Sequence, residues 1–236
     1  MLFRSDAFSG CYCVLALLEA LYHRANTGEG QHIEVAMTEA LATLLPEAVM
    51  EYTLDGTEPE RVGNRHQGKA PHDVFRCQGE ENWVAISVEN DAQFQALAHT
   101  AGSPGWADDP RFATVEARLD HQDELGPLVQ RWTEGMDVQE AVEKLQAVGV
   151  PAGPVLDSAQ VLADPHMVAR GFVQSPDHPE VGPRPLGAFS WSVDGSRPGT
   201  AGSAPLMGEH NRKVIQELLQ VPEQEFERLI KNGAIS

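Results

Sequence analysis

Between Ala7 and Ala25 the apolar residues Cys11, Val14, Leu15, Leu18, Leu21 and Tyr22 recur at intervals of three and four. That period predicts an amphipathic helix with a wide buried stripe. Ser5 or Asp6 stands where an N-cap belongs, and "TGEG" supplies a glycine, Gly28 or Gly30, for the left-handed residue that ends a helix. In "QHIEVAM" the period changes. Ile33, Val35 and Met37 alternate with other residues and predict a strand. A second helix is expected from Thr38-Glu39 to about Asp55-Gly56.

The polar, turn-rich "EPERVGNRHQGKAP" interrupts this patterning and reads as a linker and the first domain boundary. "DVFRCQGEENWVAISV" predicts two strands around a polar turn, with Phe75 and Trp83 in the core of a small module. Asn90 or Asp91 should cap a helix running through Phe94 and Leu97. "WADDPRF" reads as a loop, in which "DDPRF" is either a substrate loop or, the favoured reading, a capping turn with Arg111 in a surface salt bridge. Helical patterns follow over Gln122–Thr133 and Val138–Val148, the second capped by Asp137 and ended by Gly149. "GVPAGPVLD" frames a short strand, and a helix over Ser158–Met167 restarts at Asp164-Pro165. Residues 176–205 carry many prolines and glycines and read as an irregular return crossing. Helical patterns over His210–Leu219 and Pro222–Ile230 close the chain, with "LMGEHN" a capping-box variant at the first. The order of elements predicts an α/β or α+β architecture. The opening helix–strand–helix has no companion strands, so the chain is expected to start inside a domain.

Composition narrows the partners. With 236 residues, 42% of them apolar, the chain can build a globular core. A formal charge of -18 and a pI near 4.8 disfavour nucleic acid and anionic membranes. The longest apolar run, Val14–Leu18, is far too short to span a bilayer, and "MLFRSDAF" lacks a signal-peptide shape, so a cytoplasmic location is expected. Cys11, Cys13 and Cys77 show no zinc-ligand spacing and read as reduced, buried thiols. No bound metal is expected. Walker, GxGxxG and GxSxG motifs are absent.

The candidate chemistry is correspondingly sparse. Ser9 has no evident His and Asp partners, which leaves a serine hydrolase without support. On local pattern Asp6 is favoured as a cap. A carboxylate at a helix N-terminus is also kept ionised and can serve as a covalent nucleophile, provided one oxygen stays free of backbone N–H groups. Arg65, His66 and Lys69 form a basic loop that is either simply solvated or sits over an anionic ligand. His72 and Asp73 are adjacent on an expected strand and point to opposite faces, which argues against a dyad.

The segment "DAFSG…ALLEALYHRANTGEGQHIEVAMTEAL" resembles the central part of the family III CoA-transferases, the CaiB/BaiF family. "RVGNRH…APHDVF", "GEENWVAISVENDAQF", "DPRF", "GVPAGPV", "LADPHMVARGF" and "PLMGEHNRKVIQEL" follow in that family's order. By its distance to Gly10 and to Thr27-Gly28, Asp6 aligns with the family's catalytic aspartate. The resemblance implies transfer of CoA between an acyl-CoA and a small carboxylic acid through aspartyl anhydride and aspartyl-CoA thioester intermediates, with coenzyme A entering as acyl-CoA substrate. Arg65, His66 and Lys69 are the candidates for contacting it. The loop "NRHQGKAP" carries less glycine and more charge than the mobile loop of some members, which implies a different acceptor or a stiffer loop.

The resemblance also implies an organisation. Residues 1–58 would be the remainder of a large nucleotide-type domain with the catalytic Asp, 59–72 a linker, and 73–168 a small α+β domain. Residues 169–236 would be the return crossing and C-terminal helices of the large domain. Members carry a long N-terminal half before this Asp, so the chain is expected to be a C-terminal portion. Its partner would be that missing half, or a second copy in a homodimer. Two other readings stand beside transfer: an α-methylacyl-CoA racemase-type isomerase, in which the matching Asp is an acid–base group, and an inactive or partner-dependent fragment.

Overall fold

The computed structural model describes residues 2–58, 60–199 and 202–235, with side chains from Ser5 onward. Met1, Pro59 (the first residue of the expected linker) and Thr200 and Ala201 of the return crossing lie outside the described residues. The chain divides into two compact units, Met1–Gln67 and Gly68–Ser236.

The first unit is helical. α1 (Leu2–Thr27) is followed by α2 (Met37–Ala42) and α3 (Pro46–Asp55). Gly28, at φ 80°, terminates α1 as expected, and the Asn26 and Thr27 side chains donate to the carbonyls of Tyr22 and His23. α1 packs on α2, where Tyr12 and Thr43 share a hydroxyl hydrogen bond of 3.0 Å and Ala40 is buried.

Four sequence expectations fail in this unit. Ser5 and Asp6 do not cap α1, because Leu2–Arg4 contain no helix breaker and the helix begins at Leu2. "QHIEVAM" is extended but forms no strand. A strand exists only through its ladder partner, and the described part of this unit offers none. The expected single helix from Thr38 is split at Thr43–Leu45, since Pro46 has no N–H to continue it and instead starts α3, which Gly56 ends at φ 75°. Cys11 and Cys13 are exposed, because they lie on a helix most of whose apolar surface is uncovered.

The second unit is a mixed helix-and-sheet structure. β1 (His72–Arg76), β2 (Trp83–Ser87) and β3 (Ala152–Val155) form an antiparallel sheet in that order, with His72 opposite Ser87 and Trp83 opposite Val155. Between β2 and β3 run α4 (Asp91–Thr100), α5 (Gly105–Asp108), α6 (Val115–Asp120), α7 (Gln122–Thr133) and α8 (Val138–Ala147). Alternation along β2 turns Val84, Ile86 and Val88 to one face. Phe94 and Leu97 of α4, Leu125 and Val129 of α7, and Val142 and Leu145 of α8 close over that face at helical spacing. Each of these side chains contributes about 1.5–3 kcal/mol by leaving water. Phe75 belongs to this core, whereas Trp83, expected there as well, is half-buried outside it, with the Arg76 guanidinium 4.9 Å from the centre of its ring.

Caps fall where the side chains predict them. Asn90 accepts from the Gln93 N–H, Asp137 from those of Gln139 and Glu140, and Asp157 completes a capping box with Gln160 at α9 (Ser158–Ala163). The chain continues through α10 (Pro165–Ala169), a two-strand pair of β4 (Val173–Gln174) with β5 (Leu186–Gly187), a π-helical segment Arg212–Leu218, and α11 (Glu223–Lys231). Glu209 accepts from the Leu206 N–H, the reciprocal half of the expected capping box.

Candidate active site

Asp6 lies on α1 one turn beyond the helix start, and its side chain is exposed. Among the described residues no hydrogen bond or ion pair holds its carboxylate, so both oxygens are open to a reaction partner. The same helix buries two hydroxyls beside it. Ser5 and Ser9 share the face from which Tyr12 reaches Thr43 on α2, and each is more than nine-tenths buried. Ser5 has a partner. Ser9 Oγ has none among the described residues. Phe8 and Tyr12 meet just beyond, with ring centroids 5.0 Å apart and ring planes tilted by 52°. Gly10, four residues after Asp6, has open space where a Cβ would stand.

Arg65 and His66 are exposed in the turn region that closes the first unit, and Arg65 N–H donates to the Val62 carbonyl. Lys69 opens the second unit, and its ammonium donates to Glu89 at 2.5 Å. Its charge is therefore offset by Glu89 within that unit. His72 and Asp73 are neighbours on β1, and an Asp73 carboxylate oxygen accepts from the Val74 N–H. Arg111 is ion-paired to Asp109 at 2.7 Å and to Glu124, the surface role expected of "DPRF". No cluster of three or more His, Cys, Asp or Glu suited to a metal occurs among the described residues. None of the described helices is long and apolar enough to cross a membrane.

The sequence reading does not single out Arg118. This α6 side chain is fully buried and hydrogen-bonded in three directions: Nε to the Ala70 carbonyl at 2.8 Å, Nη1 to the Phe112 carbonyl at 2.9 Å and Nη2 to Asp91 at 3.0 Å. Its guanidinium also lies 4.5 Å from the centre of the Phe94 ring. Burial pulls the guanidinium below its ordinary proton affinity, and the hydrogen bond and charge of Asp91 oppose that shift. The available signal was an arginine in the apolar phase of "VEARLD", where a solvated cation does not belong.

The model of CoA-transferase family III matches residues 3–211. The chain belongs to that family. It is 30% identical over 224 residues to the succinyl-CoA–D-citramalate CoA-transferase of Chloroflexus aurantiacus, which is 95% of this chain and 56% of that protein. It is 33% identical over 250 residues to the formyl-CoA:oxalate CoA-transferase of Streptomyces avermitilis, covering 98% of this chain and 59% of the relative. Among solved structures, a CaiB/BaiF family protein from Brucella suis superposes with a TM-score of 0.80 at 32% identity, covering 91% of this chain and 55% of that one. The chain thus spans a little over half the length of each of these three proteins.

Proposed function

We propose that this chain carries the nucleophile of a CoA-transferase that moves CoA between an acyl-CoA and a small carboxylic acid, with Asp6 as the catalytic residue. The observation that carries this reading is the open carboxylate of Asp6, on the helix of a chain that belongs to CoA-transferase family III. An Asp6 oxygen attacks the thioester carbonyl, the C–S bond breaks, and CoA leaves as thiolate with a mixed anhydride formed. The thiolate attacks Cγ of Asp6, expelling the donor carboxylate and leaving a β-aspartyl-CoA thioester. The acceptor carboxylate then displaces CoA from Cγ. Returning CoA attacks the acceptor's acyl carbon, releasing the new acyl-CoA and restoring Asp6. Thioester energy stays on the enzyme throughout, provided water is kept out.

Arg65 and His66, in the same unit as Asp6, are the residues we assign to the anionic groups of acyl-CoA or acceptor. The polypeptide that completes the site corresponds to the part of the relatives this chain does not span, and it would bury the exposed side of α1. A homodimer is the other assembly that does so. The proteins similar to this chain are named as transferases, which favours transfer over an α-methylacyl-CoA racemase.

The test is chemical trapping. The protein in its native assembly is incubated with an acyl-CoA and quenched with hydroxylamine or borohydride, and the modified peptide is mapped by mass spectrometry. Modification at Asp6 that disappears in Asp6→Ala and Asp6→Asn is the expected result. Transfer that persists in both variants overturns the assignment. Exchange of an α-proton with solvent without any adduct establishes the racemase instead.

A further inference from the structure

We propose that Ser9 is a positioning residue for Asp6: its hydroxyl donates to one oxygen of the Asp6 carboxylate and leaves the other free to attack. This rests on Asp6 being the nucleophile, and it answers a requirement of that chemistry. A carboxylate that is to attack must be held, yet not by both oxygens.

Three observations carry the inference. Ser9 is only 4% exposed, and its Oγ has no hydrogen-bond partner among the described residues. A buried unpartnered hydroxyl costs about 1–3 kcal/mol, and a serine inside a helix ordinarily avoids this by bonding the carbonyl four residues back. Ser9 does not. The other polar groups on its face are engaged, Ser5 with its own partner and the Tyr12 hydroxyl with Thr43. Finally, Asp6 lies three residues earlier, one turn away, and is itself unheld. Residues three apart on a helix have Cβ atoms roughly 5–6 Å apart, and helical side chains lean toward the N-terminus, so Ser9 overlies the turn that carries Asp6. Rotation about χ1 of Ser9, with rotation of the exposed Asp6 side chain, brings donor and acceptor together. Ser9 keeps its proton and forms no covalent bond at any step. Its bond anchors the oxygen that stays on Cγ while the other becomes the bridging oxygen of the anhydride.

The experiment compares Ser9→Ala and Ser9→Thr with the unsubstituted protein in its native assembly. It reads the single-turnover rate of adduct formation at Asp6, kcat and KM for acyl-CoA, and the urea unfolding midpoint. Losing a hydrogen bond to a charged group slows adduct formation and kcat in Ser9→Ala by about 10- to 100-fold. KM should stay within about twofold, since Ser9 does not contact substrate. Ser9→Thr, which keeps the hydroxyl, recovers most of the rate. The unfolding midpoint of Ser9→Ala is unchanged or raised, because an unsatisfied hydroxyl has been removed; a merely structural serine predicts a lower midpoint with kcat unaffected. If the unsubstituted protein forms the adduct and Ser9→Ala forms it equally fast, the Ser9 proposal is wrong while Asp6 stands. If no adduct forms at Asp6 in the unsubstituted protein, both fall.

Discussion

Arg118 shows how much of the second unit can hang on one side chain. Two backbone carbonyls, Ala70 and Phe112, and the Asp91 carboxylate converge on a guanidinium that sees no solvent. Arg118→Ala leaves the carbonyls without donors and opens a cavity against Phe94. The expected loss is about 3 kcal/mol, read as a lower urea midpoint at constant m-value. Arg118→Lys recovers only part of it, because a single ammonium cannot reach three directions from one planar fork. A stability within about 0.5 kcal/mol of the original for Arg118→Ala would contradict the role assigned here. Asp109 makes a weaker, pH-dependent contribution. Its hydrogen bonds with Arg111, first the side chain and then the backbone N–H, hold its carboxyl below the ordinary carboxylate range. In the folded state it therefore binds protons less readily than in the unfolded chain, whose value is about 3.9. Its stabilisation is fully present above that value and disappears as pH falls through the depressed folded one. Asp109→Asn should lower the neutral plateau slightly and flatten the acid limb below about pH 4, so that the two stability–pH curves converge at low pH.

At the scale of elements, legibility followed locality. Asn90 could be read as a cap because Ncap chemistry involves only the next three residues, and the structure places its side chain on the Gln93 N–H at 2.9 Å. Asn90→Ala is expected to cost about 1 kcal/mol, while Asn90→Asp retains most of the stability; equal unfolding midpoints for all three would show that the cap is energetically idle. Asp137, Gly149 at φ 78° and the β1–β2 hairpin were legible for the same reason. "QHIEVAM" was misread because alternation specifies which faces a strand would have and says nothing of whether a neighbour exists to pair with it. The N-terminal cap failed through another competition. Asp6 is a good capping residue, but nothing in Leu2–Arg4 stops the helix before it, so it became an interior residue with an open carboxylate. In the candidate site, local pattern favours Asp6 as a cap, and only the resemblance carried by "DAFSG", "TGEGQ" and the motifs after them makes it the candidate nucleophile. The pairing of Lys69 with Glu89, twenty residues on, and the orphaned hydroxyl of Ser9 depend on packing that no local pattern reports.

The whole molecule is asymmetric in how well it is covered. The second unit encloses a continuous core, whereas α1 displays Val14, Leu15, Leu17, Leu18, Leu21 and Tyr22 to solvent, with Tyr22 75% exposed. These residues form one wide apolar stripe along the helix, and an exposed apolar patch of that kind marks an interface. The proposed occupant is polypeptide equivalent to the part of the relatives that this chain does not span. Its three thiols report on that occupancy. Cys11 and Cys13 are exposed on α1, whereas Cys77 is buried in the second unit, where burial, with the charge of Asp137, raises its pKa. In the isolated chain a disulfide reagent at neutral pH should modify two thiols quickly and the third only as the second unit opens. Adding the part of the Streptomyces avermitilis relative that this chain does not span, expressed separately, should slow the two fast thiols by about tenfold or more and leave Cys77 unaffected. If a second copy covers α1 instead, protection will rise with the chain's own concentration and need no added polypeptide. Two thiols that stay fast under both conditions would mean that the apolar side of α1 remains open to water, and the proposed assembly would be wrong.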